Sequence, residues 1–191
     1  MCGRYELDPN SDSPAVKKLL ERLQGEWPDL IPVADNHEVR PGQEVAALVP
    51  GNGPKAALRR LRWGIPGKDG KLVINARAET VLERPLFRDS FRLRRYALLA
   101  TGFYEWGPAP DRQKYLFRLE GSSDFCLLAL HDESGRFAIL TRAAVSPVAE
   151  IHPRMPLLLP LRDVLPWLRD ETAARSVLNA PPPTLTCQPA P

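Results

Sequence analysis

Long apolar runs are missing from this 191-residue sequence. No stretch approaches the roughly 18 apolar residues that would mark a membrane-spanning helix. No secretory apolar core follows Met1 either, so a soluble cytoplasmic protein with no membrane partner is expected. Cysteine is scarce: Cys2, Cys126 and Cys187 are the three, with no C-x-x-C pair. That argues against a disulfide framework and against a zinc site, and no metal or cofactor is expected. Cys126, in Phe125-Cys126-Leu127-Leu128, reads as core. Strong net charge is lacking too, with Lys+Arg 26 against Asp+Glu 23, or +3. The surplus is unevenly spread, however. From Lys55 to Arg95 there are twelve basic side chains and four acidic ones, a local +8 that leaves the remainder at −5. A basic block in a near-neutral chain points to a polyanion, nucleic acid first, against the plainer reading of a solvated arginine-rich surface.

Proline is abundant, at 21 residues, and apolar runs lie between the prolines. The pattern predicts many turns and short elements. Ser13-Pro14 gives an N-cap and a first helical position. Val16, Leu19, Leu20 and Leu23 follow at helical spacing, and Gly25 is the expected stop. A loop is expected through His37, then strands over 44–49 and 56–63 around a Gly51-Asn52-Gly53-Pro54 turn. Further extended segments are expected at 72–77, 96–101, 115–119, 125–130, 137–141 and 157–159. Residues 78–91 read as mixed with a helical turn or two, and 161–178 as one or two helices broken by Pro166. The tail from about 181 reads as irregular. There are no internal repeats and no linker, so a single domain over 1–191 is expected. Strands outnumber helices and rarely alternate with them, which predicts an α+β fold with a mainly antiparallel, barrel-like sheet and flanking helices.

Cys2 is the first candidate for chemistry. Met is commonly trimmed before a small residue, which would put an α-amine and a thiol on one residue. The amine has a pKa of about 7.7–8.0, so part of it is neutral near pH 7. A neutral amine attacks a carbonyl to give an imine, and the adjacent thiol can close on that carbon as a thiazolidine. Glu105 lies within Phe103-Tyr104-Glu105-Trp106. In a strand it shares a face with Phe103, and a carboxyl among apolar groups is a candidate general acid. His152, followed by Pro153-Arg154, is placed to polarise an oxygen or else serves as a loop histidine. Asn75 and Arg77 face one way in extended chain and suit a phosphate or a base edge. Trp63 and Trp106 are candidates for stacking on bases, with core packing as the commoner use. His37 and His131 have no motif around them and read as structural.

Together these segments resemble one family. Met1-Cys2-Gly3-Arg4, Trp63-Gly64-Ile65-Pro66, Ile74-Asn75-Ala76-Arg77-Ala78-Glu79-Thr80, Gly102-Phe103-Tyr104-Glu105-Trp106, Ile139-Leu140-Thr141 and Ile151-His152-Pro153-Arg154-Met155-Pro156 follow in that order. The combination resembles the SRAP family of abasic-site processing proteins, over residue 2 to about residue 170. The resemblance implies single-stranded DNA binding and covalent capture of abasic sites through Cys2 by a nucleoid-associated bacterial protein of the SOS response. It implies that Asn75 holds the cysteine and the lesion, that Glu105 moves protons, and that His152 steadies the sugar oxygen. It places Arg4, Arg77 and Thr141 at DNA phosphates and Pro41 in the lesion pocket. The family's peptidase label is read as removal of its own Met1. Two departures stand out. Gly67-Lys68-Asp69-Gly70 lacks the tryptophans that members often carry there, and Thr184 to Pro191 matches the family's ending poorly.

The expected function is therefore a monomeric DNA-repair protein that caps abasic sites in single-stranded DNA as a thiazolidine crosslink. Slow β-elimination is a side activity that an imine would permit. Two alternatives stay open on the residues alone. One is an N-terminal-cysteine hydrolase of the glutamine-amidotransferase kind, with Gly51-Asn52-Gly53 as a loose oxyanion loop. The other is a non-covalent single-stranded DNA-binding module in which Cys2 is incidental.

Overall fold

Prolines and glycines cut this chain into short pieces, and the pieces are mostly strands. The structure, a computed structural model, describes residues 2–30 and 37–191. In chain order the elements begin with β1 (Tyr5–Glu6), α1 (Pro14–Glu26), β2 (Glu38–Val39), β3 (Glu44–Pro50), β4 (Ala56–Trp63), β5 (Ile65–Pro66), β6 (Leu72–Val73), β7 (Asn75–Arg77) and α2 (Pro85–Leu93). They continue with β8 (Arg95–Ala100), β9 (Gly102–Trp106), β10 (Lys114–Leu119), β11 (Phe125–His131), β12 (Arg136–Ala143), β13 (Arg154–Pro156), β14 (Leu158–Leu159), α3 (Val164–Arg169), α4 (Glu171–Asn179) and β15 (Leu185–Pro189).

The larger sheet closes on itself. Strand β12 pairs with β4, β4 with β3, β3 with β8, β8 with β11, and β11 again with β12. Alternation along the strands then sorts the core into two layers. Val45, Ala47, Leu98, Leu127, Phe137 and Ile139 fill one cluster with Trp63. Ala97, Leu99, Cys126, Leu128, Ala138 and Leu140 fill the other, against Val16 and Leu23 of α1, Phe91 of α2 and Trp167 of α3. Helices cover one face while the first cluster fills the other, so β11 is buried at every position and reads as a continuous apolar run. A second sheet, in the order β15-β10-β9-β1-β2, adds Tyr5, Phe103 and Phe117 to the first cluster. The α+β, barrel-like architecture is as expected.

Details differ from the sequence reading. Helix α1 is capped by Ser13, whose hydroxyl accepts from the Val16 N–H at 3.1 Å, but it runs through Gly25 to Glu26. Pro166 does not break a helix. It occupies the first turn of α3, where a backbone donor is not needed. The interruption comes at Asp170, whose carboxylate caps α4 through the Thr172 N–H at 2.8 Å. The tail is not irregular throughout: β15 pairs along β10 from Tyr115↔Pro189 to Leu119↔Leu185. Residues 31–36 of the loop expected before His37, and Met1, lie outside the described residues.

Strand β12 carries the feature that positions the site. Its first half pairs with β4 on one edge and β11 on the other. Its second half pairs with β7 in parallel, Thr141↔Arg77, and with β13 in antiparallel, Thr141↔Pro156. Asn75 and Arg77 are thereby set on one side of β12, and the segment after His152 on the other.

Candidate functional site

The N-terminal residues run along β9. Tyr5 pairs with Phe103, and the Tyr104 N–H donates to the Arg4 carbonyl at 3.0 Å. Continued backwards, that register carries Cys2 towards Glu105 and Trp106. Cys2 is fully buried, with Sγ 3.8 Å from the Arg4 carbonyl oxygen. Burial pushes its thiol far above the ordinary range, and the nearby charge of Glu105 pushes it further. The Cys2 sulfur is therefore a thiol at neutral pH and a poor first nucleophile.

Asn75 reaches Cys2 from β7. Its side-chain N–H donates to the Cys2 carbonyl at 3.1 Å. Its side-chain oxygen is buried and has no hydrogen-bond partner among the described residues. Buried amide oxygens are seldom left so, because an unmet acceptor costs about 1–3 kcal/mol.

Glu105 is 2% exposed. Alternation places Phe103 in the barrel cluster, while Tyr104 and Trp106 join a separate one, as the sequence predicts. Burial raises the Glu105 pKa, and His152 opposite opposes part of that rise. The His152 Nδ1 lies 3.9 Å from Glu105 Oε2. The same nitrogen lies 3.1 Å from the Arg154 N–H nitrogen and 3.0 Å from the Arg154 carbonyl oxygen. A buried carboxyl facing an imidazole is suited to proton transfer near neutral pH. Beside the pair opens a cleft of about 540 Å3, lined by Glu105, Trp106, Pro108, Arg112, Ile151 and His152 among others. That volume is in the range of small-ligand sites, about 300–1,000 Å3.

Arg77 is exposed at the end of β7. Arg4 stacks over Trp106 at 5.1 Å and donates to Glu38 at 2.9 Å, so one face of Trp106 is already covered. Pro41 is half-buried in an Arg40–Gln43 turn that Gly42 completes at φ 90°, and it does not line the cleft. Two expectations are corrected. Trp63 has no exposed surface to offer a base. Its ring stacks on Phe137, and its indole N–H donates to the Ile74 carbonyl at 2.9 Å, which anchors the residue before Asn75. Thr141 is 1% exposed and accepts from Arg154, so its hydroxyl does not face a phosphate.

Two groups were given no role by the sequence. Arg112 lines the cleft from the β9–β10 loop, a position without a motif. Arg154 forms a bidentate pair with Glu79 at 2.5 and 2.9 Å. Seventy-five residues separate the two, so spacing gives no hint of the contact. Among the described residues no cluster of His, Cys, Asp and Glu is arranged to hold a metal ion. No helix there is long and apolar enough to cross a membrane.

Known proteins resemble this chain over nearly its full length. The family model described as "SOS response associated peptidase (SRAP)" matches residues 1–190. The abasic site processing protein YoqW of Bacillus subtilis is 30% identical, over 94% of this chain and 85% of its own. The abasic site processing protein YedK of Escherichia coli is 28% identical, over 92% and 82%. Among solved structures, a Bacteroides thetaiotaomicron protein shares the fold at TM-score 0.76 and 17% identity, covering 98% of this chain and 91% of that one. A phage-related protein of Bordetella bronchiseptica does so at TM-score 0.71 and 25% identity, covering 99% and 94%.

Proposed function

Because the chain belongs to the SOS response associated peptidase (SRAP) family, we propose that it processes abasic sites in single-stranded DNA by capturing them covalently on Cys2. The observation that carries this reading is the convergence of Cys2, Asn75, Glu105 and His152. The N-terminal segment, strands β7 and β9 and a loop supply them: Asn75 holds the Cys2 carbonyl, Glu105 lies close enough to Cys2 to act on its thiol and faces His152 at 3.9 Å, and Glu105 and His152 line the cleft. Relatives named abasic site processing proteins support the same lesion as substrate.

Chemically the order is amine first. Hydrolysis of the Met1–Cys2 bond frees the α-amine. The opened abasic sugar presents an aldehyde, and the amine nitrogen adds to its carbon. Glu105, whose pKa burial raises towards the neutral range, gives a proton to the departing oxygen, and water leaves as the imine forms. The thiol then adds to the imine carbon, its proton passes to nitrogen, and the thiazolidine closes. A thiol that stays protonated until then fits the buried environment of Cys2. The Asn75 side-chain oxygen is available to accept from the amine, and its N–H holds the Cys2 carbonyl. His152 polarises the sugar oxygen from across the cleft, and Arg77 takes a phosphate. The imine also acidifies the neighbouring C–H, which permits slow β-elimination.

The amidotransferase alternative loses its oxyanion loop. The Arg169 guanidinium at the end of α3 donates to the carbonyls of Gly51 and Gly53, and neither glycine lines the cleft.

The test is incubation with a single strand carrying one abasic site, followed by denaturing electrophoresis. Wild-type protein should give a shifted band that survives denaturation. Cys2→Ser should give no durable band, and an intact strand should give none with either protein. A durable band from Cys2→Ser at the wild-type rate would contradict the role of the thiol.

A further inference from the structure

His152 rides on a loop, and a loop histidine 3.9 Å from its carboxylate needs something to fix it. The fixing group is the next strand's first residue, Arg154. Its backbone serves the imidazole in both protonation states. With Nδ1 unprotonated, the Arg154 N–H donates to it across 3.1 Å; with Nδ1 protonated, the ring donates to the Arg154 carbonyl across 3.0 Å.

The Arg154 side chain is itself tied down. It reaches across the end of β12, donates to the Thr141 carbonyl at 2.8 Å and to the Thr141 hydroxyl at 3.2 Å, and ends in the bidentate pair with Glu79. Glu79 lies two residues beyond Arg77, in the short turn that follows β7. Its carboxylate also accepts from the Ala143 N–H at 3.1 Å, on β12 itself. The contact thus spans β7, β12 and β13. It joins the strand that carries Asn75 to the strand that carries the backbone under His152. Hydrogen bonding to Arg154 holds the Glu79 carboxyl down at about 2, so the clamp stays charged through the neutral range.

We infer that Glu79 and Arg154 are positioning residues: their ion pair across β12 sets the distance and ring orientation of His152 relative to Glu105 and to the Asn75-held Cys2. This rests on the covalent-capture reading of the cleft. A clamp of this kind acts on the reaction step more than on binding. A displacement of about 1 Å at reacting groups costs up to about a hundredfold in rate. Lysine in place of Arg154 keeps the charge but lacks the planar fork that meets both Glu79 oxygens and Thr141.

The experiment uses full-length protein with a processed N-terminus in four forms: wild type, Glu79→Gln, Glu79→Asp and Arg154→Lys. Thermal melts establish that each is folded. Single-turnover crosslinking at saturating abasic strand gives the rate constant, and anisotropy with an intact strand of the same sequence gives affinity. Glu79→Gln and Arg154→Lys should each lower the rate constant roughly tenfold. Affinity should stay within about twofold of wild type, and Glu79→Asp should recover most of the rate. Nitrogen-15 spectra of His152 should differ between wild type and Glu79→Gln, because the Arg154 backbone that meets Nδ1 is displaced when the clamp is lost. Folded Glu79→Gln with the wild-type rate constant and the wild-type His152 spectrum would overturn the inference. So would a defect confined to affinity. If the wild-type protein itself formed no crosslink, the covalent reading would have failed. The His152 spectrum would then still decide the positioning claim.

Discussion

At Glu105 the alternation that fills the barrel also takes a carboxyl group out of water. A glutamate whose native pKa is raised binds more protons folded than unfolded over a defined window. The window opens near the ordinary glutamate value, about 4.3, and closes at the raised native value. The group's contribution to stability is complete below it and falls as pH rises through it. Glu105→Gln removes that titration. The melting-temperature difference, variant minus wild type, should grow in the variant's favour as pH rises from about 4 and then level off; a difference flat from pH 4 to 8 contradicts a raised pKa. The same variant should crosslink more slowly, on the order of a hundredfold, with binding to intact strands kept. Residue types carry this much of the site in plain sequence. Cys2, Asn75, Glu105 and His152 stand out in the sequence because their chemistry is particular and their motifs occur in order, and the structure brings Asn75 to Cys2 and His152 to Glu105. Trp63 and Thr141 were misread because burial is a property of what packs around a residue. An indole that binds a base and one that holds a neighbouring carbonyl look the same on paper.

Elements were legible where periodicity or punctuation marked them, as in α1, β3, β4 and β11. The chain end was not. Leu185-Thr186-Cys187-Gln188-Pro189 has little apolar content, yet it forms β15 because β10 offers an unpaired edge. Leu185 is the buried residue that seats it, at 6% exposure. Leu185→Ala should lower stability by about 2 kcal/mol, the lower end for a buried leucine. Removal of 184–191 should additionally bare the β10 edge and promote association, because open edges template pairing. Light scattering and denaturant melts check both, and a truncated protein that stayed monodisperse with an unchanged midpoint would leave β15 without a structural role. The pairing of β12 with both β7 and β13 was equally hidden, since contacts between strands remote in sequence leave no local signature. The Glu79–Arg154 pair was lost with it.

Across the whole molecule the basic block proves less concentrated than its sequence count implies. Arg60 pairs with Asp29 and Glu44, Arg62 with Glu44, and Arg92 with Glu171. Arg95 is buried and donates to the carbonyls of Phe91 and Trp167. Arg77 is exposed at the end of β7, Arg112 lines the cleft, and Arg4, paired with Glu38, lies over Trp106. If these three take phosphates, the slope of log affinity against log salt should be about −2 for a single strand, at roughly 0.7 per contact. Arg77→Ala should flatten it by about 0.7. Anisotropy titrations across salt check this, and a slope unchanged in Arg77→Ala would remove Arg77 from the interface.

The central claim is that one residue supplies both atoms of the trap, and intact mass spectrometry of the protein and of its adduct tests that most directly. The free protein should lack Met1. The adduct should weigh the sum of protein and abasic strand less one water, with the modification on the N-terminal peptide. A protein with an extra residue before Cys2 should give no adduct, since an amide nitrogen forms no imine. An extended protein that crosslinked at the normal rate, or an adduct mapped to an internal lysine, would contradict the account.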